Sequence, residues 1–165
     1  MSLTKVIWKM IEQSSTTDSN ENTFFGNLAL NSLTSGQNNA AFGDLALSDT
    51  TSGNANAALG RKALWFNTTG SYNVACGYGS MLWNDSGINN IANGLQSLYS
   101  NRSGSNNVAQ GRNAVYAATT ANNNIGIGHQ SILYGNGSSN IAIGEFALEN
   151  YGLRYVAGSF VIGDE

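Results

Sequence analysis

Asn73-Val74-Ala75-Cys76-Gly77 is answered seventeen residues on by Asn90-Ile91-Ala92-Asn93-Gly94, and seventeen further on by Asn107-Val108-Ala109-Gln110-Gly111. The same phase runs outward in both directions. Its glycine column holds Gly26, Gly43, Gly60, Gly77, Gly94, Gly111 and Gly128, and it reaches Gly144 after one step of sixteen. Four places before each glycine stands an asparagine: Asn22, Asn39, Asn56, Asn73, Asn90, Asn107, Asn124 and Asn140. Self-similarity at a short fixed period signals stacked repeats, because so small a unit buries its apolar side only against its neighbours.

Further columns define the unit. Three residues after the glycine comes a small side chain (Ala29, Ala46, Ala63, Ser80, Ser97, Ala114, Ser131, Ala147), followed by an aliphatic one (Leu30, Leu47, Leu64, Met81, Leu98, Val115, Ile132, Leu148). Gly36, Gly53, Gly70, Gly87 and Gly104 fall ten places after the first glycine. Ala121 takes that place once, and Gly137 comes one residue early, which locates the deletion behind the sixteen-residue step. Each unit reads as a short strand, a tight corner, a second short apolar segment and a Thr/Ser/Gly turn. Seventeen residues with two glycines are too few for a helical hairpin. The fold predicted is therefore all-β, a parallel β-roll of about eight seventeen-residue coils with two strands per coil. At about 4.8 Å per coil, the rod is roughly 40 Å long.

Alternate strand residues face opposite sides. The first and third residues are Thr23/Phe25, Ala40/Phe42, Ala57/Leu59, Val74/Cys76, Ile91/Asn93, Val108/Gln110, Ile125/Ile127 and Ile141/Ile143. Between them lie Ala41, Ala58, Ala75, Ala92, Ala109, Gly126 and Ala142, with Phe24 in the first coil. One side of the strand thus faces a core, and the other is approached closely by the opposite wall or by another chain. A Phe in a column of tiny residues fits an end coil, so the solenoid is expected to start near Asn22. The repeated glycine supplies a corner needing positive φ. The repeated asparagine is read as a structural ladder, its amide bonding local backbone and the equivalent amide one coil away.

Composition narrows the function. With twenty glycines and no proline, a broad core is excluded, and only the regular return of apolar residues argues against a flexible chain. The formal net charge of −3 arises from few charged residues without a basic cluster, so no nucleic-acid partner is expected. Cys76 is the only cysteine, which rules out an intrachain disulfide and a cysteine metal cluster. No apolar run suits membrane insertion, and no secretory leader is evident. No nucleophile, carboxylate pair or phosphate loop stands out, so no enzymatic activity, cofactor or metal is expected.

Three domains follow. Residues 1–21 form an N-terminal segment and polar connector, residues 22–148 the β-roll, and residues 149–165 a C-terminal cap. Leu3, Val6, Ile7, Met10 and Ile11 recur at helical spacing with Trp8 beside them, a short helix that needs a docking partner or serves as a cap. Ser159-Phe160-Val161-Ile162-Gly163 resembles a repeat strand with Ser in place of Asn.

The place after the glycine changes chemistry freely (Asn27, Asp44, Arg61, Tyr78, Leu95, Arg112, His129, Glu145), as a solvent-facing line does. Trp65, Phe66, Trp83, Tyr99, Tyr116 and Tyr134 share nearly one phase and form an aromatic stripe, facing either a receptor or adjacent chains. Small columns let backbones approach, which suits packing between rolls, and a homotrimer wound round one axis would bury a second face and hide free edges. Asn93 and Gln110 then form a polar layer between chains if their column is enclosed, or lie exposed if it is not; an ion site is a third reading.

The pattern Asn-aliphatic-Ala-x-Gly, then Ala/Ser-Leu, then Thr-Thr-Gly or Thr-Ser-Gly, resembles the head repeats of trimeric autotransporter adhesins and related repeats of bacteriophage tail fibres. It covers residues 22–148, with Asn73–Gly77 and Asn140–Gly144 as the best matches. The seventeen-residue step is longer than the usual adhesin coil and is more similar to the fibre variant carrying Asn67-Thr68-Thr69-Gly70. Ser2-Leu3-Thr4-Lys5-Val6 and Met10-Ile11 resemble the beginning of phage tailspike and tail-fibre chains. The resemblance implies a left-handed, adhesin-head-like solenoid and a homotrimer. It further implies a location in the virion, attachment through residues 3–11 to a baseplate or capsid protein, and contact with a host-surface glycan or protein. A capsid decoration or spacer and the head of a bacterial adhesin are the alternatives.

Overall fold

The computed structural model describes residues 16–134, 137–148 and 158–163. They hold ten short strands: β1 (Thr16–Thr17), β2 (Thr23–Phe25), β3 (Ala40–Phe42), β4 (Ala57–Leu59), β5 (Val74–Cys76), β6 (Ile91–Asn93), β7 (Val108–Gln110), β8 (Ile125–Ile127), β9 (Ile141–Ile143) and β10 (Phe160–Ile162). All ten join one sheet in chain order. From β2 onward every pairing is parallel and in the register of the repeat, so Ala41, Ala58, Ala75 and Ala92 stand above one another. The architecture is a parallel β-solenoid of about eight turns, with no helix among the described residues.

The sixteen-residue step does not disturb this register. Ile125, Gly126 and Ile127 pair with Ile141, Ala142 and Ile143, so the missing residue is absorbed in the turn. The polar connector holds a strand of its own: β1 runs antiparallel to β2. At the other end, β10 pairs with β9 as one more rung, extending the sheet beyond the last full coil. The helix expected over Leu3, Val6, Ile7, Trp8, Met10 and Ile11 lies outside the described residues, as does most of the C-terminal segment.

The middle residue of each strand points inward. Ala41, Ala92, Ala109 and Ala142 are fully buried, while Phe25, Leu59, Val74 and Ile91 beside that column are 46–57% exposed. The core is consequently narrow. Each coil adds the tiny strand residue, the small residue after the corner, and one large side chain from the Leu30, Leu47, Leu64, Met81, Leu98, Val115 and Ile132 column. Volume is matched locally: a Cβ on Gly126 would meet Val115 Cγ2 at 2.6 Å, so the bulk of Val115 is accommodated by a missing methyl in the next coil.

The second apolar segment is not a second strand, contrary to the two-strand unit expected from sequence. Leu30, Leu47, Leu64, Met81, Leu98, Val115 and Ile132 all adopt left-handed backbone, with φ between +47° and +52°. That conformation turns the chain within a few residues yet keeps its peptide groups along the rod, so Leu30 N donates to Ala46 O and Leu47 N to Ala63 O, each at 3.0 Å. Burying such a side chain stabilises by roughly 1.5–3 kcal/mol. Holding an L-residue left-handed costs roughly 1–2 kcal/mol. The large-residue column therefore contributes little net stability, and coil-to-coil hydrogen bonding carries the rest.

At the corner Gly94, φ is +136° and an added Cβ would lie 2.5 Å from Gly111 O. Neither the backbone angle nor the neighbouring carbonyl can yield without opening the stack. Gly94→Ala is expected to lower stability by about 3 kcal/mol or more, measured by urea unfolding followed by circular dichroism. An unchanged midpoint would show that the corner tolerates a side chain.

Candidate functional site

The asparagine column runs inside the rod. Asn22, Asn39, Asn56, Asn73, Asn90, Asn107, Asn124 and Asn140 are each at most 1% exposed. At Asn73 the backbone N and Nδ2 both donate to Asn56 Oδ1, at 3.0 and 3.1 Å, and Nδ2 also donates to Gly87 O at 2.8 Å. Asn73 Oδ1 in turn accepts from Asn90 N and Nδ2. Every donor and acceptor of the amide is used, which is what burial of a polar side chain requires. These residues, with the corner glycines, build the scaffold and are not free to bind anything else.

This ladder has direction, since donors point toward the N-terminal end and acceptors toward the C-terminal end. Asp18 meets the first set. Its Oδ1 accepts from Asn22 N at 3.0 Å and Asn22 Nδ2 at 3.1 Å, and its Oδ2 accepts from Asn22 Nδ2 at 3.0 Å. The Asn22 side-chain amide, helped by the Asn22 and Asn20 backbone N–H groups, holds the Asp18 carboxyl below the usual carboxylate range despite partial desolvation. At the opposite end, Asn140 Oδ1 accepts from Ser159 N at 3.0 Å. By sequence Asp18 is one residue of a polar connector; only the antiparallel turn into β2 brings it beneath the ladder.

A second buried ladder was missed. Asn84 Nδ2 donates to Asn67 Oδ1, and Asn101 Nδ2 to Asn84 Oδ1, both at 2.7 Å. Each amide also donates to the glycine carbonyl three residues on, Gly70, Gly87 or Gly104. Its seventeen-residue spacing was legible beside the stronger Asn column. The ladder stops at Ala118, leaving buried Asn101 Oδ1 without a hydrogen-bond partner. Ala121 explains the stop: a Cβ on Gly104 would meet Asn101 Oδ1 at 2.3 Å, so a coil with Ala in this place has no room for the amide.

Two surfaces remain as candidates for function. The first is the outward strand face, whose columns include Phe25, Phe42 and Leu59 at one end and Ile143, Phe160 and Ile162 at the other, all classed as exposed. Asn93 and Gln110 sit in its middle, exposed and outward. Their side chains make no hydrogen bond with the described residues. Of the alternatives for this column, a single chain leaves it exposed.

The second surface is the aromatic edge. Trp65, Phe66 and Trp83 form one stack, with centroid separations of 4.6 and 4.2 Å and interplanar angles of 13° and 8°. Lys62 Nζ lies 4.6 Å from the Trp65 centroid and the Arg102 guanidinium 5.8 Å from that of Trp83, so a cation meets each terminal ring. Tyr99 and Tyr116 stack separately at 5.0 Å. Burial, then the neighbouring Tyr99 and Tyr134, pushes the Tyr116 phenol up from its ordinary value. Five of the six stripe residues thus form two stacks whose ring faces are largely spent on one another, and the sixth, Tyr134, is exposed.

The line after the corner glycine is exposed or half-buried and linked along the rod. Asn27 Nδ2 donates to Asp44 Oδ1, Arg61 Nε pairs with Asp44 Oδ2 at 3.1 Å, and the Arg61 guanidinium lies over Tyr78. His129 Nδ1 lies 3.0 Å from Glu145 Oε1. Among the described residues no group of three His, Cys, Asp or Glu side chains is placed to hold a metal ion, and no helix is long and apolar enough to cross a membrane.

No protein-family model matches this chain, and comparison with curated proteins and with solved structures returns no match.

Asp18 makes the N-terminal end sensitive to acid. Because the Asn22 amide holds this carboxyl below the ordinary aspartate range, its contribution is fully present above that range and is lost as pH falls through the lowered value. Hydrogen exchange at the Asn22 amide is therefore expected to accelerate on acidification below about pH 4 beyond the intrinsic change. In Asp18→Asn, which keeps an Oδ1 acceptor for Asn22 N and has no carboxyl to titrate, this extra acceleration should vanish.

The second ladder yields a paired test. Ala118→Asn alone should destabilise the chain by clashing with the Ala121 methyl, while Ala118→Asn with Ala121→Gly should gain about 1 kcal/mol by satisfying Asn101 Oδ1. Thermal unfolding of the three proteins decides, and equal effects of the single and double variants would refute the coupling.

Proposed function

We propose that this chain is a nonenzymatic structural protein of a bacteriophage virion, a short tail fibre in which three parallel copies form the rod and present repeated weak contacts to a host surface. The contiguous exposed apolar strand face carries this reading. A solvated rod holding Phe25, Phe42, Leu59, Ile143 and Ile162 outward has a surface suited to another protein. Copies of the same chain share its rung spacing along the whole length. Such an assembly is a left-handed threefold rod of the adhesin-head kind that the repeats resemble, held to a baseplate or capsid protein through residues 3–11.

Adhesion would act through number. Three copies on one axis convert a weak contact into an avid one. The aromatic edge is the surface offered outward: Trp83 and Tyr134 are 37% and 49% exposed, and the Arg102 guanidinium lies over Trp83. The mutual stacking of these rings favours a second reading, since a sugar platform needs a free ring face and few are left. On that reading the protein is a capsid decoration or spacer. A bacterial adhesin head is the remaining alternative and shares the same rod.

The two virion roles separate by experiment. Labelled full-length protein is incubated with bacterial cells, envelope glycans and purified virions. A tail fibre binds cells, and Trp83→Ala with Tyr134→Ala should reduce that binding at least tenfold while circular dichroism is unchanged. Binding to capsids with no cell binding would replace the fibre by a decoration protein.

A further inference from the structure

The outward column formed by the third residue of each strand divides into three blocks of three rungs. Phe25, Phe42 and Leu59 are apolar; Cys76, Asn93 and Gln110 are polar or weakly so; Ile127, Ile143 and Ile162 are apolar again. The neighbouring outward column stays apolar beside the polar block, with Val74, Ile91 and Val108. Every amide of the main inner ladder from Asn39 to Asn107 is bonded on both sides, but the side chains of Asn93 and Gln110 find no partner among the described residues. Two exposed amides, without a partner among the described residues, thus sit at the centre of an apolar face.

We infer that Asn93 and Gln110 set the register in which copies of this chain pack face to face, each amide bonding its own counterpart on a parallel neighbour. This rests on the multichain rod proposed above and adds the device that aligns it. The need for such a device follows from the solenoid. Rungs recur about every 4.8 Å, and Phe, Leu and Ile follow one another along the face, so two copies sliding by one rung would keep nearly the same apolar contact. A polar block removes that degeneracy. In register, Asn93 meets Asn93 and Gln110 meets Gln110, and an amide both donates and accepts. One rung out of register, a single Asn93–Gln110 pair survives, while a Gln110 amide is pressed against Ile127 and an Asn93 amide meets the Cys76 thiol. An antiparallel pair can also match Asn93 with Gln110, but it then sets Cys76 opposite Ile127 and not opposite its own counterpart, so a Cys76 crosslink tells the two arrangements apart. The parallel arrangement comes from the threefold rod proposed above, and within it the amides fix the register as a polar residue in an apolar seam does in coiled coils.

Cys76 reports the alignment directly. It is the only cysteine, lies one rung from Asn93 and is half-buried on this face, so any thiol crosslink joins two chains. Full-length protein is treated with a short bismaleimide, run on a denaturing gel, and measured in parallel by sedimentation velocity. The expected result is a trimer in which crosslinked pairs approach two thirds of the chains, the third thiol having no partner. Asn93→Val with Gln110→Ile should keep the oligomer and at least halve the crosslinked fraction, as slipped registers become populated. Exchanging the two residues, Asn93→Gln with Gln110→Asn, retains both amides and should retain the yield. An oligomer whose crosslinking is undiminished in the Val/Ile variant, or a wild-type oligomer that does not crosslink, overturns the register role while leaving the assembly standing. A wild-type monomer overturns the assembly itself.

Discussion

A buried amide in this rod has its partner one coil away. The axial rise of a parallel sheet, about 4.8 Å, is also the spacing at which one Asn side chain can receive both the N–H and the amide of the next. That coincidence ties sequence period to structure. An Asn displaced by one residue would lose its bonds above and below together, so the column persists through every full coil, including across the sixteen-residue step where Asn140 still donates to Asn124 Oδ1. The strand register and corner glycines follow from it, because the ladder leaves no room for a coil to shift or for a Cβ between stacked carbonyls.

The same economy shapes the surface. A coil of this length encloses one large side chain and little else, and much of what that side chain contributes is offset by the left-handed backbone that places it. Apolar residues in excess of the core have nowhere inward to go. They stand on the strand face instead, where their regular spacing suits a partner built on the same rung. The aromatic edge differs in kind. Its rings satisfy one another and are met by cations at the ends of the Trp65–Phe66–Trp83 stack, so it is ordered without a partner chain. One surface is incomplete in a single chain, and the other is largely complete.

The ends of the rod show how a directional ladder is closed. Donors exposed at the first coil meet the Asp18 carboxylate, and the last described asparagine gives its oxygen to the backbone of Ser159. The C-terminal closure keeps the backbone half of the ladder bond with Ser159 in the asparagine's place, and the N-terminal closure replaces the asparagine by a carboxylate. An anion serves where donors gather, and a bare N–H serves where an acceptor is left.

Strand positions, their parallel order, the number of turns and the coil-to-coil pairing of the Asn column were all legible in the sequence, because each depends on a period and a period survives in one dimension. The tiny residues between bulkier ones also announced a close contact, although not which side was inside. That choice, the left-handed geometry at Leu47 and its equivalents, the placing of Asp18 under the ladder and the stacking of Trp65 on Phe66 were decided only by the closed coil. Such features depend on how the chain turns back on itself between repeats, and turns of this kind are set by contacts from three or four directions at once. Spacing along the chain determined that the rungs stack; the closure of each coil decided what each rung shows to the outside.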